Sequence, residues 1–172
     1  MFPLYNTLRE LKGVPEQPLA PLTEFMSNDD ILSAALKCKN LGCAHTIISY
    51  QTAQAFLFRD MEKARRMADT YIEYFGTFGS QDSQHHQKFN DLYNVFYEAL
   101  IAFYFIRKTE EETWKVRAKN AHAKVKERSR HSKWNFENKL HLLNAEWHHT
   151  HKEFDKAIAC YDSAILSAHE HR

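Results

Sequence analysis

The chain has 172 residues, 44% hydrophobic and 26% charged, enough for one sizeable core or a short helical array. A formal net charge of +1 excludes a global field that recruits nucleic acid or anionic membrane, and three cysteines (Cys38, Cys43, Cys160) without a C-x-x-C spacing exclude a disulfide framework. The N-terminus Met-Phe-Pro-Leu-Tyr-Asn shows no basic-then-apolar signal, and the most apolar window, Leu92 to Ile106, contains Asn94 and Glu98 and falls short of the ~20 residues of a membrane span, so a soluble, cytoplasmic protein is expected.

Residues 1–26 hold all four prolines and read as an irregular strap or linker, with one short helix around Leu4–Leu11. The proline-free remainder, 27–172, reads as helix after helix, because sandwiches and barrels need turn residues far more often. Ser27 followed by Asn28, Asp29 and Asp30 marks a helix start, with Ile31, Ala34/Ala35 and Cys38 at helical spacing and Gly42 as the stop. A second helix is expected from about Cys43 to Phe58, and a third from about Met61 to Phe75, closed by Gly76 and Gly79. The polar stretch Thr77–Gln87 is the clearest internal loop.

Next comes a helix of about Lys88–Arg107, apolar nearly all round and therefore central. Thr109 with Glu110–Glu112 reads as a capping box opening a fifth helix, whose inward stripe is Trp114, Ala118, Ala121 and Val125. The last two helices run from about Trp134 to Thr150 and from about Glu153 onward. The fold class is all-α, about seven helices in antiparallel hairpins, with no strand.

That last pair carries the clearest motif: Leu143, Ala145 and Trp147, then Phe154-Asp155-Lys156-Ala157-Ile158, Tyr161 and Ala164. It resembles a tetratricopeptide hairpin, in which small residues let two helices approach and an aromatic plugs the turn. The repeat-packing residues are then Ala145, Phe154, Ala157, Tyr161 and Ala164, and the array implied is a right-handed stack. His141 and His148 stand where the motif has Trp and Tyr, and no closing proline follows. A weaker echo lies at Gln51–Tyr74, through Met61-Glu62-Lys63-Ala64 and Ala68. Ala64 and Ala157 are 93 residues apart, not a multiple of the ~34-residue period, so the array is irregular.

A longer likeness spans about Ala55 to His171, through Arg59-Asp60-x-x-Lys63-Ala64, Phe96-Tyr97-x-Ala99-Leu100 and Trp134-Asn135-Phe136-x-x-Lys139. It resembles the helical-repeat region of large multidomain signalling ATPases that carry kinase-like and histidine kinase modules. The resemblance implies a fragment of a longer array, with ATPase or kinase chemistry elsewhere in the parent. It also implies a last helix that exposes an apolar face and favours self-association.

Chemistry is sparse. Phe58-Arg59-Asp60 resembles a kinase catalytic loop, but Arg65 stands where the metal-holding Asn belongs, and no glycine-rich phosphate loop occurs. His141, His148 and His151 share a helix face without H-E-x-x-H or a nearby cysteine, so neither metal nor cofactor is expected. Ten Lys or Arg lie between Arg107 and Lys133; the helical ones, Lys115, Arg117, Lys119, Lys124, Lys126 and Arg128, make a basic stripe that nucleic acid would need. A solvated helix face explains that stripe equally well.

The function expected is therefore a non-enzymatic protein-interaction or regulatory segment. Its groove is lined by the first helix of each pair, with His141, Asn144 and His148 facing a protein or peptide partner or another domain of the same parent. Nucleic-acid binding through the basic stripe is the alternative.

Overall fold

The computed structural model describes residues 27–76, 89–109 and 111–170. These form seven helices: α1 (Asn28–Lys37), α2 (Leu41–Leu57), α3 (Met61–Phe75), α4 (Phe89–Thr109), α5 (Glu112–His131), α6 (Lys133–Thr150) and α7 (Phe154–Glu170). No strand occurs among the described residues, so the all-α reading holds. The strap at 1–26, its short helix and the loop at Thr77–Gln87 lie outside the described residues. The chain divides into two compact units, with the boundary after Phe75.

Three turns are built from one local rule. At Lys39, Arg59 and Lys152 the backbone enters the left-handed region, with φ of 54°, 63° and 62°. Each of these residues donates its N–H to a carbonyl three residues back, and the next residue (Asn40, Asp60 or Glu153) donates to one five back. These are Schellman closures of the preceding helix, with a basic residue where glycine is commonest. Asn40, Asp60 and Glu153 then accept, through their carbonyls, the N–H of Ala44, Ala64 and Ala157 at 3.0, 2.9 and 3.0 Å. Asn40 and Asp60 also cap with side-chain oxygen, at 3.2 Å to Cys43 N and 3.0 Å to Lys63 N. All three alanines are buried, which lets adjacent helices meet closely.

The turn rule corrects one expectation. The first helix stops at Lys37, with Cys38 as its cap, and Gly42 lies inside α2 rather than ending α1. Gly76, at φ 77°, does close α3.

In the first unit α1 and α3 both pack on α2. Ser27 opens α1 with a full capping box: its hydroxyl accepts from Asp30 N at 3.1 Å, and the Asp30 carboxylate accepts from Ser27 N at 3.0 Å. The Ser27 hydroxyl, donating to the same carboxylate at 2.8 Å, and then the Ser27 N–H hold the Asp30 carboxyl below its usual range. Helix α2 is buried on nearly every side, polar residues included. Ser49 and Thr52 bond back to the carbonyls of His45 and Ile48 at 2.6 and 2.7 Å. His45 meets Tyr71 and Phe75 edge-on, at 5.5 and 5.3 Å between ring centroids.

In the second unit α4 is packed by α5 and α6, and α7 packs on α6. Val95 through Phe103 is buried almost without interruption, as expected of a central helix. The inward stripe of α5 is the expected Trp114, Ala118, Ala121 and Val125, each at most 2% exposed. Trp114 stacks on Phe105 at 4.8 Å. The capping box expected at Thr109 does not form. Thr109 ends α4, its hydroxyl donating to Phe105 O at 3.0 Å, and α5 starts at Glu112 with no side-chain cap. Glu146 on α6 ties three helices together, accepting from Arg107 on α4 at 2.8 Å and from the Tyr161 hydroxyl on α7 at 2.7 Å.

Candidate interaction surfaces

In the first unit, α1 and α3 face one another across an open groove of about 410 Å³. Helix α1 contributes Asp29, Leu32, Ser33 and Leu36, and α3 contributes Lys63, Arg66, Met67, Thr70, Glu73 and Tyr74. Both sets return every three to four residues (29, 32/33, 36 and 63, 66/67, 70, 73/74), so each wall is one helix face. The base is apolar: Leu32 is buried, and Leu36 and Met67 are half-buried. Asp29 accepts a hydrogen bond from Gln51 Nε2 at 3.0 Å, a contact that fastens α1 to α2. Gln51 is itself buried, and its Oε1 has no hydrogen-bond partner among the described residues.

This groove is not where the sequence places one. The first helix of the Gln51–Tyr74 pair is α2, which is sealed in the core, so the open face belongs to α1 and α3 instead. Its sequence signal was a second stripe on α3 (Lys63, Arg66, Met67, Thr70) beside the buried stripe Met61, Ala64, Ala68, Tyr71.

The residues expected to face a partner sit on α6. His141 is half-buried. Asn144 Oδ1 lies 2.7 Å from His122 Nε2 on α5. His148 Nδ1 lies 2.6 Å from the Glu153 carboxylate in the α6–α7 turn. Asn144 and His148 thus have internal partners, on different neighbouring segments. Trp147, which sequence reasoning left out of the site, lies between His122 (6.2 Å) and His151 (4.6 Å) and edge-on to Phe103 (6.3 Å). The spacing Asn144, Trp147, His151 carried that signal.

Of the repeat-packing residues, Ala145 and Ala157 are buried, and Tyr161 and Ala164 are half-buried. Phe154 does not plug the turn. It is 56% exposed at the start of α7, with the His149 ring 5.8 Å away. Polar contacts hold the turn instead: Glu153 accepts from Lys156 at 2.8 Å as well as pairing with His148. Ile158, Ile165 and Leu166 are likewise more than half exposed, so α7 carries a bare apolar face.

The basic stripe loses a member. Arg117 turns inward, pairs with the buried Glu98 carboxylate and lies over the Trp114 ring at 4.2 Å. Lys115 pairs with Glu112 at 2.8 Å. Lys119 and Lys126 are exposed, and Lys124 and Arg128 are half-buried. Among the described residues no three His, Cys, Asp or Glu side chains converge as a metal site, and no helix is long and apolar enough to cross a membrane. Comparison with family profiles, with characterised proteins and with solved structures returned no match.

Proposed function

We propose that this chain is a non-catalytic protein-interaction segment built from tetratricopeptide-like hairpins, and that it works by presenting the α1–α3 groove to another protein. The observation that carries this reading is the groove itself: two helix faces, an apolar base and polar rims, all held on a packed α2. Two packed helices presenting such a channel can seat a helix or an extended segment at little ordering cost to themselves. The three matching turns, each closing on a buried alanine, support the repeat reading, because a recurring turn is what stacked hairpins require.

On the same reading the chain serves as a scaffold or regulatory segment of a larger signalling ATPase, clamping another part of its parent and releasing it on a signal. Its three cysteines stand as free thiols, which supports a cytoplasmic setting. The bare face of α7 would then meet a second copy of the chain.

The test is to equilibrate the immobilised chain with a random peptide library and, separately, with random-sequence RNA and single-stranded DNA, at low and physiological salt. Peptide retained at physiological salt is the expected result. Retention of nucleic acid alone, falling steeply with salt, would replace this reading with a nucleic-acid-binding one.

A further inference from the structure

We propose that the α1–α3 groove selects acidic amphipathic segments, with Lys63 and Arg66 holding their carboxylates and Leu36 and Met67 seating their apolar side chains. This inference rests on the interaction reading above and adds the chemistry of the partner.

Charge complementarity carries it. Lys63 and Arg66 stand one turn apart on the same wall, and neither side chain makes a hydrogen bond or ion pair among the described residues. Their neighbour Arg65, by contrast, has Asp69 at 3.9 Å. The acid that α1 contributes to the lining, Asp29, is fastened by the neutral amide of Gln51, a side chain only 1% exposed. The other acid of the lining, Glu73, lies ten residues along α3, nearly three turns from Lys63. Along α3 the wall therefore runs from two cations, Lys63 and Arg66, near its start to Glu73 near its end, with the Asp29 carboxylate on the facing wall.

Size and surface agree with a peptide. Helix α1, at 10 residues, is about 15 Å long, which matches two to three turns of a docked helix or about four to five extended residues. Met67 gives an adaptable apolar contact, and Tyr74, 43% exposed, offers a ring at the far end. Carboxylates flanking apolar side chains satisfy both the cations and the base.

The experiment pans a random peptide library against the full chain, then measures each enriched peptide by fluorescence anisotropy against three proteins. These are the full chain, Lys63→Glu/Arg66→Glu and the milder Lys63→Gln/Arg66→Gln, each first checked for wild-type helicity by circular dichroism. The expected result is a set of peptides with Asp or Glu beside Leu-type residues, bound at least about tenfold more weakly by the reversal variant, less affected by the Gln variant and weakened by salt. Peptides without acids, or peptides bound equally by all three proteins, would overturn the groove chemistry while leaving the interaction reading intact. If no peptide is enriched, both fall.

Discussion

Glu98 and Arg117 form an ion pair between α4 and α5 in which the carboxylate side chain is 3% exposed and the guanidinium side chain 16%, the latter lying over the Trp114 ring. Breaking a pair this buried leaves one charge stranded, which costs about 3–5 kcal/mol, whereas removing both partners in favour of apolar groups costs much less. Arg117→Met should therefore lose most of the stability of the second unit in chemical denaturation. Glu98→Leu/Arg117→Met should recover most of the loss. A double variant as unstable as the single one would show that the contact is not an isolated buried pair.

The left-handed turn residues give a second prediction. A non-glycine residue pays a steric cost there that glycine does not, partly offset by the extra freedom glycine has when unfolded. Lys152→Gly should gain about 0.5–1 kcal/mol and raise the melting temperature. Lys152→Val, with a branched side chain at φ 62°, should lower it. Equal effects of the two substitutions would contradict the turn geometry.

Glu153 sets a pH dependence. Hydrogen bonds from Lys156 and then His148 pull its carboxyl from 4.5 down to about 2. Because the folded value is depressed, the contribution is present above the unfolded value and is lost as the pH falls from about 4.5 through about 2. The stability difference between the wild-type chain and Glu153→Gln should shrink across that window. A difference that stays constant would mean that the carboxylate is not held by its neighbours.

Self-association is the fourth expectation. Phe154, Ile158 and Ile165 lie nearly in line along α7, each more than half exposed. In an antiparallel pairing about the middle of the helix, Ile158 of one copy meets Ile165 of the other. Light scattering over a dilution series should show a mass that rises with concentration, abolished in Ile158→Glu/Ile165→Glu. A mass that stays monomeric throughout would rule out α7 as a contact between copies.

Much of the helical frame was legible from proline absence, periodicity and capping residues, and the inward stripe of α5 was read correctly residue by residue. What misled was local competition for hydrogen bonds. Thr109 looks like an N-cap, but its hydroxyl is spent on Phe105 O inside α4. Gly42 looks like a stop, but Lys39 takes the left-handed position and Gly42 continues α2. The same turn accounts for Phe58-Arg59-Asp60, in which Phe58 caps α2 and Arg59 takes the left-handed position.

The binding surface was less legible, because a groove depends on which faces tertiary packing leaves bare. Helix α2 carries Ser49, Gln51 and Thr52, polar side chains that by type belong on a surface, yet all three are buried. Asn144 and His148 looked free for a partner until the fold supplied His122 and Glu153. Arg117 counted as a surface cation until α4 brought Glu98 beneath it.

The most direct measurement is backbone hydrogen exchange of the full chain with and without an enriched acidic peptide. Added protection concentrated in Asn28–Lys37 and Met61–Phe75 is the predicted result, because the peptide would shield the walls of the groove. Protection centred on Glu112–His131 or Lys133–Thr150, with none on α1 and α3, would contradict the assignment and move the binding surface to the second unit.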